Sequence, residues 1–281
     1  MLSQLTEGDT TLVVIIGSNG QLGVELCKAC AKLSLGYYAL SHSNIRVEDS
    51  TSVNNCLNDL TCKPDVVINT AAFHDVAACE LQPLRAYDVN ADGSANVARW
   101  CRDNGAKAVY ISTDYCGSYM PLSVYAKTKL AGEMAPLSIC PDGLVVRLGT
   151  LYGASGCRAK GGGNFIDTVV TKLMADESFT LPDYTSIRPT SAKLAAQKIL
   201  RNIHWTGVAY ANDVVPSQSH YALGCWLAEV LKVGNHIKAI SHDPDDRIRP
   251  HKIEYVSGGF PCIDFNEDGL YDYLTEKGYL K

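Results

Sequence analysis

Tyr125 and Lys129 stand four positions apart, so on a helix the phenol and the ammonium share one face. That pairing has a definite chemistry. A nearby cation favours the phenolate, draws the tyrosine pKa toward working pH and lets the phenol pass a proton to or from a carbonyl oxygen. Thr113, in the upstream run Ser112-Thr-Asp-Tyr115, offers a hydroxyl to hold the same oxygen. Asn90, in an earlier helical stretch, is expected to orient a proton-relay water near Lys129. A tyrosine–lysine pair of this spacing is common on helix surfaces, and its weight here comes from the company it keeps.

The first companion is Gly17-Ser-Asn-Gly-Gln-Leu-Gly23. Glycine at 17 permits a tight turn, glycine at 20 lets a pyrophosphate approach the backbone, and glycine at 23 lets a helix pack close to its strand. The loop follows an apolar strand, Leu12–Ile16, and precedes Leu22, Leu26, Cys30 and Leu33 at helical spacing, the context of a dinucleotide site. Ser41, His42 and Ser43 close the next strand where an acid would bind the adenine ribose of NAD. With no acid there and Arg46 close by, NADPH is the expected cofactor, with NADH possible.

These residues need a scaffold, and the chain reads as one. Strands are expected at Leu12–Ile16, Tyr37–Ser41, Val66–Asn69, Ala108–Ser112 and Leu144–Leu148. Between them come helices: one with Val53, Cys56, Leu57 and Leu60 on a face, then Arg85–Asp103 and Tyr125–Met134. The alternation implies an α/β fold, a doubly wound parallel (Rossmann) sheet over residues 1–148. Residues 149–281 are expected to form mainly a smaller C-terminal substrate-binding lobe, with some segments returning to the core and helices near Ser191–Asn202 and Ser219–Lys232.

Composition narrows the setting. The chain has 281 residues, 46% hydrophobic and 20% charged, a net charge of −5 and no basic cluster, which argues against a nucleic-acid partner. No apolar run reaches bilayer length, and the polar Met1–Thr10 stretch lacks a secretory pattern, so a soluble cytoplasmic protein is expected. Eleven cysteines are scattered rather than framed. Cys27-Lys-Ala-Cys30 has CxxC spacing but falls inside a helix with no second pair, so packing is expected and no metal site.

The order glycine loop, Asn90, Thr113, Tyr125, Lys129 is the short-chain dehydrogenase/reductase pattern. Within it, the glycine loop, Pro64–Ala72, Val89-Asn90, Ile111–Tyr115 and Tyr125-Ala-Lys-Thr-Lys-Leu-Ala-Gly-Glu133 resemble the dTDP-4-dehydrorhamnose reductase family. Weaker echoes follow at Arg147, Leu151–Gly153, Asn164-Phe165, Pro189-Thr190 and Arg249-Pro250. The resemblance implies reduction of a 4-keto group on a nucleotide-linked 6-deoxy sugar by NAD(P)H. It places Ser18, Asn19, Gln21, Leu22, Thr70, Ala71 and Ala72 with the glycines at the cofactor. Substrate contacts fall to His74, Thr113, Asp114 and Asn164, with Arg249 holding the diphosphate, and a homodimer is possible.

The chain also departs from that family. The loop between Tyr115 and Tyr125 is short, and Ala77-Ala78 follow Val76 where relatives carry an Asp-Lys pair. Two other readings stand beside the reductase. A nucleotide-sugar epimerase or dehydratase of the same superfamily normally has Asp then Glu after the threonine, whereas Asp114 precedes Tyr115 here. A non-catalytic regulatory subunit, similar to that of methionine adenosyltransferase, would use the same scaffold to contact a partner enzyme.

Overall fold

A computed structural model describes residues 10–117, 123–154, 163–211, 218–243 and 268–280. Its centre is a six-stranded, all-parallel sheet in the order β2-β1-β3-β4-β5-β10. The strands are β1 (Leu12–Ile16), β2 (Gly36–Leu40), β3 (Val66–Asn69), β4 (Lys107–Thr113), β5 (Leu144–Leu148) and β10 (Gly207–Tyr210). Side-chain alternation splits each apolar run between two cores. Val13, Ile15, Val66, Ile68, Val109 and Ile111 face α1 (Gln21–Lys32) and α8 (Ala192–Arg201). Val14, Ile16, Val67 and Ala108 face α2 (Ser50–Asn58), α5 (Gly93–Asn104) and α6 (Val124–Ile139). Burial on both faces is what continuous β-branched runs dictate.

The stretch expected as one helix, Arg85–Asp103, is composite. After α3 (Val76–Leu81), which periodicity did not reveal, come α4 (Pro83–Tyr87), a π turn at Asp88–Asp92 and then α5. The π turn widens the helix where Asn90 leaves it to bond the backbone of Phe73.

Beyond β5 the chain builds a second core from α7 (Phe165–Met174), α9 (His220–Leu231), α10 (Asp268–Glu276) and the parallel pair β7 (Phe179–Pro182) and β12 (Ile237–Ile240). Ile166, Val170, Leu173, Leu181, Leu223, Leu227 and Leu274 fill it. Short pairings complete the lobe: β6 (Thr150–Tyr152) with β9 (Pro189–Ser191), and β8 (Ser186–Ile187) with β11 (Gln218–Ser219). Two C-terminal segments return to the sheet, β10 as its sixth strand and α8 against α1.

Candidate active site

The chain leaves β1 for β2 on one side and β3 on the other, and ligands of open α/β sheets bind at such a switch point. A cavity of about 480 Å³ opens there, walled by Gly17 after β1, His42 after β2, Thr70–Ala72 after β3, Thr113 at the end of β4 and Leu148-Gly149 at the end of β5.

The glycine loop forms one wall. Gly17 adopts φ +81°, and a Cβ there would come within 2.4 Å of Thr70 Oγ1. The amides of Gly17 and Ser18 donate to Leu40 O, tying the turn to the end of β2. At Gly23 a Cβ would lie 2.2 Å from Gly17 O and 2.7 Å from Ser18 Cα, so the helix approaches its own loop as closely as a bare backbone allows. Gly20 caps α1 without a side-chain hydrogen bond, leaving a helix N-terminus with no internal anion beside the cavity. Gln21 Nε2 is buried there without a partner.

Of the expected cofactor residues, Gly17, Asn19, Gly20, Gln21, Leu22, His42, Thr70, Ala71, Ala72, Tyr125 and Lys129 line this one cavity. Ser18 and Gly23 shape the loop behind it. Ser41 and Ser43 share a hydrogen bond, and Ser41 donates to Asn44 Oδ1, so their hydroxyls are occupied in a turn. The Arg46 guanidinium is exposed and donates to Asp49 Oδ2 at 2.7 Å, while Ile45, Val47 and Glu48 line the wall. Asp49 itself caps α2 by accepting from Thr51 and Ser52 amides, which hold its carboxyl below the usual range.

On the opposite wall Ser123 caps α6 by accepting from the Ala126 amide, which sets Tyr125 in the first turn. Lys129, 2% exposed, donates to Ile111 O at 2.6 Å and sits 4.0 Å from the centroid of the Tyr110 ring. Burial lowers its pKa to about 8. The expected lowering of the Tyr125 pKa is reversed. Burial, then the neighbouring Cys116, raise it; a hydrogen bond with Thr113 opposes, and Tyr115 and Asp114 raise it further. With the ammonium turned to Ile111, the phenol stays protonated at neutral pH.

Asn90 is held inside the fold. Its side chain is fully buried, accepting from Phe73 N and donating to Phe73 O and Thr128 Oγ1, while its carbonyl accepts from Tyr110 OH. Those bonds commit both side-chain N–H groups and fix the segment after β3 against α6.

Among the expected substrate residues, His74, Thr113, Asp114 and Asn164 line the cavity, and Arg249 lies outside the described residues. Asn164 caps α7 by accepting from Asp167 N and donates to Asp167 Oδ2 and Tyr273 OH, so both of its N–H groups are committed. Asp114 is 2% exposed, and burial pushes its pKa up to about 7 against the pull of Arg188. Its Oδ2 has no hydrogen-bond partner.

Several residues belong to the site or its support that the sequence reading did not assign there. Tyr115 meets the Tyr125 ring edge-on at 6.1 Å, and with Phe165 and Glu48 it lines the cavity. Behind the site, Glu133 accepts from Ser112 Oγ and twice from Arg147, whose third bond goes to Tyr210 OH. The spacing of Glu133, four after Lys129, was the available signal.

Cys30 is buried in the core and its thiol is pushed up to about 12, first by burial and then by Cys27, as packing residues behave. Among the described residues no group of three or more His, Cys, Asp or Glu is placed to hold a metal, and no helix is long and apolar enough to cross a membrane.

Three relatives bear on this arrangement. The dTDP-4-dehydrorhamnose reductase of Streptomyces griseus is 35% identical over 181 residues, 60% of this chain and 57% of that protein. The dTDP-4-keto-6-deoxy-D-glucose reductase of Streptomyces niveus is 28% identical over 260 residues, 88% of this chain and 84% of that one. A solved dTDP-4-dehydrorhamnose reductase of Bacillus anthracis, in complex with NADP, superposes with a TM-score of 0.83 at 24% identity, covering 96% of this chain and 100% of that one. The model of the family described as RmlD substrate binding domain matches residues 11–244, and the chain belongs to that family.

Proposed function

We propose that this protein is an NADPH-dependent reductase that converts the 4-keto group of a 6-deoxy nucleotide sugar to a hydroxyl, with Tyr125 as general acid. One observation carries the reading: Thr113, Tyr125 and Lys129 line the same cavity as the glycine loop. The reductase relatives and the NADP complex of the Bacillus anthracis protein support it.

The residues fit a dinucleotide. The uncapped N-terminus of α1 and the orphaned Gln21 Nε2 offer donors to a pyrophosphate. Ile45 and Val47 give an apolar wall for the adenine, and His42 stands at the end of β2 where the ribose 2′ group is read. When bound, NADPH supplies the hydride.

The protein supplies the rest. Thr113 and Tyr125 hold the carbonyl oxygen and polarise it. Tyr125, kept protonated by burial, gives its proton to that oxygen, which is the protonation state a reductase needs. The charge of Lys129, one helical turn behind, favours the phenolate that remains. Asp114 and His74 face the sugar side of the same cavity.

The test is NADPH oxidation with a panel of 4-keto-6-deoxy nucleotide sugars, repeated with NADH. Turnover that depends on the keto sugar and runs faster with NADPH is expected. No oxidation with any of them, together with stable association with an adenosyltransferase, would establish the regulatory-subunit reading instead.

A further inference from the structure

Each turnover of the proposed reaction leaves Tyr125 as a phenolate that must regain a proton in a buried site. The usual candidates are otherwise engaged. Lys129 is bonded to Ile111 O, the Asn90 amide is spent on Phe73 and Thr128, and Tyr110 OH is given to Asn90 O. Thr113 lines the same cavity as Tyr125 and eases the ionisation of its phenol, and the Thr113 hydroxyl lies 3.5 Å from Asp114 Oδ1. That contact is long, and contacts of this kind tighten when a substrate closes the site. Asp114 is buried, yet it lines the cavity and its Oδ2 has no partner.

We propose that Asp114 is the proton source behind Tyr125, recharging the phenol through the Thr113 hydroxyl after each hydride transfer. This rests on the reductase reading of the site. The balance is simple. The hydride goes to the carbonyl carbon, and the Tyr125 proton goes to the carbonyl oxygen. The phenolate takes the proton of Thr113 Oγ1, and Thr113 takes the carboxyl proton of Asp114. The resulting carboxylate is reprotonated from water entering the cavity. The groups facing Asp114 are Thr113 on β4, Tyr115 on its own turn, Tyr125 on α6 and Arg188 between β8 and β9. Burial raises the carboxyl and outweighs the groups that favour the carboxylate, which are Arg188, the Thr113 hydroxyl and the Asp114 and Tyr115 amides, so it titrates near neutrality and holds a proton to give below about pH 7.

The experiment is stopped-flow NADPH oxidation with the keto sugar that the wild-type enzyme accepts, comparing wild type with Asp114→Asn. The first turnover uses the proton already on Tyr125. Asp114→Asn should therefore give a burst of one equivalent per site followed by a steady state slower than that variant's own burst by roughly tenfold or more. In the wild type, steady-state kcat should fall as pH rises through about 7 while the burst rate holds. That second measurement stands even where Asp114→Asn does not fold. A variant whose burst and steady state fall together, or a wild-type kcat flat across that range, overturns the relay and leaves the reductase reading intact. A wild type that oxidises no NADPH with any keto sugar overturns both.

Discussion

Glu133 of α6 receives two hydrogen bonds from Arg147 of β5, at 2.9 and 2.7 Å, and locks the helix that carries Tyr125 and Lys129 onto the sheet. Both side chains are largely buried, Glu133 at 2% and Arg147 at 14% exposure. Removing one partner strands the other's charge, and a stranded buried charge is costly. Glu133→Ala should lower stability by about 3 kcal/mol. Urea denaturation measures it, and a change under 1 kcal/mol would show that the pair is not holding the helix.

The glycine loop gives a second prediction. A methyl group at Gly23 meets backbone atoms of Gly17 and Ser18, which cannot swing aside as a side-chain tip does. Gly23→Ala should push the loop out of shape, cost about 1–3 kcal/mol and weaken NADPH binding by roughly tenfold or more. A fluorescence titration of the nucleotide beside a thermal melt reads both. Unchanged affinity would separate the loop from the cofactor.

The pKa of Asp114 links the site to stability. Its folded value, about 7, lies above the ordinary aspartate value of 3.8, so between those pH values the folded state binds more protons than the unfolded one. Its contribution is complete below about pH 4 and is lost as pH rises through about 7, a span worth at most a few kcal/mol. Asp114→Asn should flatten this part of the stability–pH curve. A curve of the same slope in the variant would show that the carboxyl titrates normally.

At the far end of the lobe, Tyr273 OH donates to Asp167 Oδ1 and accepts from Asn164 Nδ2, pinning α10 to the cap of α7 at the cavity wall. Tyr273→Phe should destabilise by about 1–3 kcal/mol, because two buried groups lose a partner. Limited proteolysis from the C-terminus should quicken in step, and an unaltered digestion rate would place the anchoring elsewhere.

The strands and the glycine loop were legible in the sequence because a buried parallel strand has little freedom of composition. Leu12–Ile16, Val66–Asn69 and Leu144–Leu148 lie where their apolar runs put them. The π turn at Asp88–Asp92 was not legible, since it exists to aim Asn90 at Phe73, a contact across 17 residues. Helix α7 was missed because its buried residues, Ile166, Val169 and Val170 among them, are rich in the β-branched types that also mark strands. At the site, residue types were readable and directions were not. The sequence brought Lys129 near Tyr125 but could not foresee that its ammonium would turn to Ile111, nor that Arg46 would pair with Asp49. Each is a choice between partners made by the packing around it.

The central claim is that the Tyr125 phenol protonates the carbonyl oxygen of a substrate held beside the nicotinamide. Its most direct test is Tyr125→Phe, assayed by NADPH oxidation with the accepted keto sugar after nucleotide binding has been shown to match wild type. A fall in turnover of roughly two or more orders of magnitude is predicted. Turnover equal to wild type would contradict it.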